Sequence, residues 1–157
     1  MASPLILGID PGTSVVGFGF VRKAKRTCEG LEHGEIDVSD EENPDHLVKM
    51  HGRIQELIQT HAPDVVSIEE AFYGPNAKAS MKLGEARGAL LLAASQADVM
   101  IREYTPSQIK KAVTGNGSAT KKQVSGKIQA MLNLSDDSMS SHVSDALAAG
   151  ICYVHRS

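Results

Sequence analysis

The feature that most restricts the fold of this 157-residue chain is the change of pattern at Pro63. Before it, from His46, the apolar residues Leu47, Met50, Ile54, Leu57 and Ile58 recur every three or four positions, the period of a helix with one face on a core. The pattern stops near His61-Ala62-Pro63 and gives way to Asp64-Val65-Val66-Ser67-Ile68-Glu69-Glu70, a β-branched run of buried-strand length. A helix that hands over directly to a strand is half of a crossover unit, so part of the sheet must be parallel. Upstream, Leu5-Ile6-Leu7-Gly8-Ile9 ends in the turn residues Asp10-Pro11-Gly12-Thr13, and Val15 to Val21 resumes the β pattern, which predicts an antiparallel hairpin.

The remaining segments extend this frame. A third strand is expected within Thr27 to Val38, beyond the basic turn Arg22 to Arg26, followed by an acidic loop from Ser39 to Asp45. Asn76 to Ala97 predicts a long helix interrupted by Gly84 and Gly88, whose i, i+4 spacing would let another backbone approach. Val99 to Tyr104 is a fifth strand, and Thr105-Pro106-Ser107 opens a helix. Two or three helices finish the chain, with Gly115-Asn116-Gly117-Ser118 as a flexible break and a terminal helix over Val143 to Val154. The expected fold is one α/β domain over residues 1–157, with a mixed five-stranded sheet, its first three strands antiparallel, and helices on both faces.

Composition excludes several classes. No stretch approaches the roughly 18 apolar residues that cross a bilayer, and the start lacks the pattern of an export signal, so a cytoplasmic protein with no membrane partner is expected. Cys28 and Cys152 stand alone, without a zinc or disulfide framework. The net charge of -3 hides an asymmetry. Residues 29–70 hold twelve acids against Lys49 and Arg53, whereas residues 71–135 hold nine cations against three acids. The second half is suited to a polyanion, although charged helix faces are also ordinary solvated surface.

Three short strings can carry chemistry. Asp10 follows a buried strand, where the strand end fixes the carboxylate and the Pro-Gly turn leaves room above it. Glu69 ends another strand and can project beside Asp10, whereas Glu70 alternates to the opposite face. In Ser141-His142-Val143-Ser144-Asp145, His142 and Asp145 lie three apart on one helix face. Asp10, Glu69, His142 and Asp145 supply three hard carboxylates and one imidazole, which suits Mg²⁺ or Mn²⁺ better than structural zinc. Such a set matches two-ion phosphodiester hydrolysis, with ions roughly 3.5–4 Å apart. The Asp10 turn also resembles the metal and phosphate turn of sugar kinases and actin-like ATPases, so a phosphotransferase fragment is the competing enzyme class. Those folds carry a duplicated domain and a second such turn, neither of which is present.

Gly8-Ile9-Asp10-Pro11-Gly12, Ile68-Glu69-Glu70-Ala71-Phe72, Leu83-Gly84-Glu85-Ala86-Arg87-Gly88 and Asp145-Ala146-Leu147-Ala148, in this order, resemble the RuvC family of Holliday junction resolvases within the ribonuclease H-like superfamily. The resemblance implies a structure-selective endonuclease that makes paired nicks in four-way DNA junctions, leaving 5′ phosphates, in recombination and repair. It makes Asp10, Glu69, His142 and Asp145 the catalytic and metal-binding set, with two Mg²⁺ (or Mn²⁺) ions; some members place Asp where this chain has His142. It gives Lys110 and Lys121, with their neighbours Lys111 and Lys122, to the DNA strand. Phe72 and Tyr73 follow Glu69; the resemblance implies stacking of an exposed aromatic on an unpaired base, while from the residues alone a buried Phe72 fits equally well. It further implies a homodimer built on the Gly84–Gly88 helix and a branch-migration helicase partner of the RuvA and RuvB type. The acids alone do not select the substrate, so a ribonuclease H-like nuclease acting on another nucleic acid is the main rival reading.

Overall fold

A computed structural model describes every residue except Met1, Phe72, Asp136 and Ser138. Five strands, β1 (Leu5–Asp10), β2 (Val15–Ala24), β3 (Thr27–Asp37), β4 (Val65–Glu69) and β5 (Met100–Tyr104), form one sheet in the order β3-β2-β1-β4-β5. The β1–β2 and β2–β3 pairs are antiparallel, whereas β1–β4 and β4–β5 are parallel. The helix α1 (Asp45–His61) makes the crossover that the sequence requires between β3 and β4. α2 (Ala77–Gln96) connects β4 to β5, and α3 (Pro106–Thr114), α4 (Lys121–Leu132) and α5 (Ser141–Arg156) complete the chain.

Alternation along the central strands splits the core in two. Leu5, Leu7 and Ile9 of β1, with Val66 of β4, pack against Met50, Ile54 and Leu57 of α1 and Leu90 and Ala94 of α2. Ile6 and Val65 face the other way, against Ile109, Ile128, Leu147 and Ile151 of α3, α4 and α5. The sheet therefore lies between two helical layers, each closing one apolar face. No helix among the described residues is long and apolar enough to cross a membrane.

Local chemistry fixes the helix ends. Thr105 and Thr120 each form a reciprocal capping box with the glutamine three residues on, Gln108 and Gln123. Asn76 caps α2 by accepting from the Ala79 amide. The segment after α3, expected as a loose break, is closed by its own side chains: the Asn116 amide donates to Thr114 Oγ1, and the Ser118 amide donates to Asn116 Oδ1. Gly115 takes the left-handed conformation that ends α3, φ 84°.

Candidate active site

The acids of β1 and β4 reach the same end of the sheet because both strands run in the same direction. Ile9 is in register with Ile68, which puts Asp10 beside Glu69. Alternation then selects the face: Ile6, Gly8 and Asp10 on β1, and Val65, Ser67 and Glu69 on β4, all turn toward α5. Glu70 lies beyond the end of β4 and is exposed on the same cleft, whereas Glu69, the last residue of β4, is on the α5 side by alternation.

α5 brings the remaining two side chains, and glycines set its distance from the sheet. A Cβ on Gly17 would lie 2.1 Å from the His142 carbonyl oxygen, and one on Gly8 would lie 2.0 Å from that of Ala146. No other residue allows the helix backbone to sit so close. Gly17 is also the residue opposite Asp10 in the β1–β2 ladder. The same contact that seats the first turn of α5 thus places His142 over Asp10. Two hydroxyls pin the helix: buried Ser67 donates to the Ala149 carbonyl, and Ser140, the N-cap that accepts from the Val143 amide, donates to Glu35 on β3 at 2.7 Å.

His142 Nδ1 lies 3.4 Å from Asp10 Oδ2, and Lys121 Nζ lies 3.2 Å from Asp145 Oδ2. Burial, and then the Asp145 carboxylate, push Asp10 up to about 7 against the opposing pull of His142. Burial and Asp145 likewise raise Glu69, opposed by Lys121, Lys110 and Arg87. Asp145 in turn holds the Lys121 ammonium above its ordinary value. The end of the sheet therefore gathers three carboxylates whose mutual repulsion is only partly neutralised. Hard oxygen donors with uncompensated charge are what a divalent cation such as Mg²⁺ requires, and one imidazole is compatible with it. Among the described residues, no three His, Cys, Asp or Glu side chains are drawn tightly enough together to hold an ion as they stand. The donor chemistry fits, and the arrangement is open.

A cleft of about 920 Å³ runs from these acids toward the start of α2, lined by Asp10, Glu69, Tyr73, Met81, Arg87 and Lys121 among others. Tyr73 is 90 % exposed on its rim, and Phe72 lies outside the described residues. Lys110 acts electrostatically on Glu69, whereas Lys111 and Lys122 occupy exposed positions on α3 and α4. Arg87, which the sequence offered only inside a longer string, lines the cleft and binds the main chain of Glu69. Gly84 and Gly88 have open space where a Cβ would stand, so they are not packed within the subunit.

A family model described as "Crossover junction endodeoxyribonuclease RuvC" matches residues 6–153. The chain belongs to the RuvC family. A RuvC of Pseudomonas paraeruginosa is 41 % identical over 151 residues, covering 96 % of this chain and 86 % of that protein. The RuvC of Alkaliphilus metalliredigens is 40 % identical over 152 residues, covering 96 % and 93 %. Among solved structures, Thermus thermophilus RuvC in complex with Holliday junction substrate superposes with a TM-score of 0.91 at 30 % identity, covering 98 % of this chain and 94 % of that one. RuvC membership agrees with the mixed sheet and its strand order and makes the chain a metal-dependent nuclease. A phosphotransferase fragment is excluded, because the match runs through the terminal helix rather than stopping at the Asp10 turn.

Proposed function

We propose that this chain is an endonuclease that resolves four-way DNA junctions, with Asp10, Glu69, His142 and Asp145 as its metal-binding and catalytic set. The observation that carries the reading is the convergence of Asp10, Glu69 and Asp145 at one sheet end, where Asp10 is held at about 7 by burial and by Asp145. Two Mg²⁺ ions, or Mn²⁺, bound there would supply an activated water and neutralise charge at the leaving 3′ oxygen. Asp10, at the end of β1 and within reach of His142 on α5, would hold the ions together with Glu69 and Asp145. His142, 3.4 Å from Asp10, is the fourth donor or a proton carrier beside it. Lys121 and Lys110 hold a scissile phosphate against the acids by charge, and Lys111 and Lys122 extend that cationic track along the strand. Tyr73 on the cleft rim offers an aromatic ring to an unpaired base at the junction; the sequence resemblance gives Phe72 the same role.

A four-way junction is cut at two symmetric positions, which a twofold homodimer answers. The exposed face of α2 supports that assembly: Met81, 72 % exposed, and Leu92, 51 % exposed, flank the open backbone at Gly84 and Gly88. Residues 1–157 act as one nuclease domain in the cytoplasm, alongside a branch-migration helicase of the RuvA and RuvB type. The relatives' names and the junction-bound Thermus thermophilus RuvC support the substrate over an RNA/DNA hybrid.

The test is cleavage of a labelled mobile four-way junction beside a linear duplex and an RNA/DNA hybrid of matching sequence, with Mg²⁺, with Mn²⁺ and with chelator. Paired, metal-dependent nicks confined to the junction are expected. Cutting of the hybrid instead would return the substrate to the wider superfamily.

A further inference from the structure

By register, the carbonyl oxygen of Glu69 meets no main-chain donor on β1. The Glu70 amide donates to Tyr104 on β5, so by alternation the main-chain groups of Glu69 point to β1. Ile9 is level with Ile68, and the next donor in register for the Glu69 carbonyl would be the residue after Asp10. That residue is Pro11, which has no N–H. An unpaired carbonyl at a partly buried strand end costs free energy and loosens the strand that carries the side chain.

Arg87 fills the vacancy from another element. Its Nη1 donates to the Glu69 carbonyl at 2.5 Å, and its Nη2 donates to Glu103 Oε2 on β5 at 2.8 Å. The side chain is 12 % exposed, and the rigid guanidinium fork satisfies both acceptors at once. Both bonds are made from α2, the helix whose outer face is open at Gly84 and Gly88.

We propose that Arg87 is a positioning residue for Glu69: it supplies the donor that Pro11 withholds and clamps the end of β4 to α2 and β5. This rests on the reading of Glu69 as a metal-binding acid. Lys cannot span both acceptors with one planar group, so Arg87→Lys keeps the charge and loses the clamp. Glu103→Gln keeps Arg87 bound to Glu69 and weakens only its second anchor.

The experiment compares wild type, R87K and E103Q in three readouts: junction cleavage at saturating enzyme, junction affinity in chelator, and the rise in thermal midpoint on adding Mg²⁺ to the DNA-free protein. R87K is expected to cut roughly ten-fold more slowly or worse, since small misplacements of a reacting group carry penalties of that order. Its junction affinity should stay within about two-fold of wild type, and its Mg²⁺-induced rise should shrink, because ion binding stabilises in proportion to affinity. E103Q should fall between the two, and it decides the matter by the same readouts if R87K does not fold. Unchanged cleavage and an unchanged Mg²⁺ response overturn the proposal, as does a loss confined to junction affinity, which would make Arg87 a DNA contact. A wild type that cuts no junction sinks the reading of Glu69 in DNA cleavage, while the Mg²⁺ response still decides the role of Arg87.

Discussion

The Asp10 carboxyl is pushed from 3.8 to about 7, by burial first and by Asp145 second. A raised folded-state value means that the protonated form carries the stability. That contribution is complete below about pH 4 and is lost as the pH rises through about 7. An amide cannot ionise. Asp10→Asn in chelator should therefore gain in thermal midpoint relative to wild type as the pH goes from 5 to 8, by about 3–6 °C. A gap that is constant or shrinks with pH would show that the carboxylates do not strain the fold. At this scale the sequence was legible where chemistry is written into residue type. Asp10 and Glu69 follow from strand ends and alternation, and His142 and Asp145 from helix spacing. Arg87 was not, because its bond to the Glu69 carbonyl joins residues 18 apart through a backbone vacancy that Pro11 creates.

Among the elements, α5 is positioned by what the sheet lacks. Gly8 and Gly17 let its backbone settle against β1 and β2, and the first turn carries His142 to Asp10. Gly17→Ala would set a Cβ 2.1 Å from the His142 carbonyl, so strand or helix must move. A loss of about 1–3 kcal/mol in stability is expected, measured by urea unfolding, with cleavage reduced even in the folded fraction. Full stability with full cleavage would show that the seating of α5 is not what builds the site. Hairpin, crossover helix and the antiparallel run of the first three strands were readable because each depends on local period or turn chemistry; the placing of β4 beside β1 was not. The glycines on β1 and β2 were read only as strand residues, since nothing in their spacing says which helix will press on them. The turn after α3 was read as loose because Gly-Asn-Gly signals freedom, whereas the side chains of Thr114 and Asn116 close it.

For the molecule as a whole, the open stripe on α2 is the feature that one subunit leaves unexplained. Met81, Gly84, Gly88 and Leu92 fall at three- and four-residue spacing on an exposed face of α2. Leu92→Glu places a charge in that stripe without touching the acids. Sedimentation should show wild-type dimers and L92E monomers with an unchanged fold, and paired nicking should give way to single nicks. A monomeric wild type, or a dimeric L92E, would move the assembly surface elsewhere. The charge asymmetry read from the sequence also resolves at this scale, because the cationic half supplies α3 and α4, which stand beside the acids.

The most direct test of the site is to assay four-way junction cleavage in Mg²⁺ and junction binding in chelator side by side for wild type, Asp10→Asn and Glu69→Gln. Both variants are expected to lose cutting while binding the junction at least as tightly as wild type, because removing negative charge beside a phosphate cannot weaken its attraction. Retained cutting in either variant, or loss of binding together with cutting in a folded variant, would contradict the assignment of these acids as the metal-dependent cutting site.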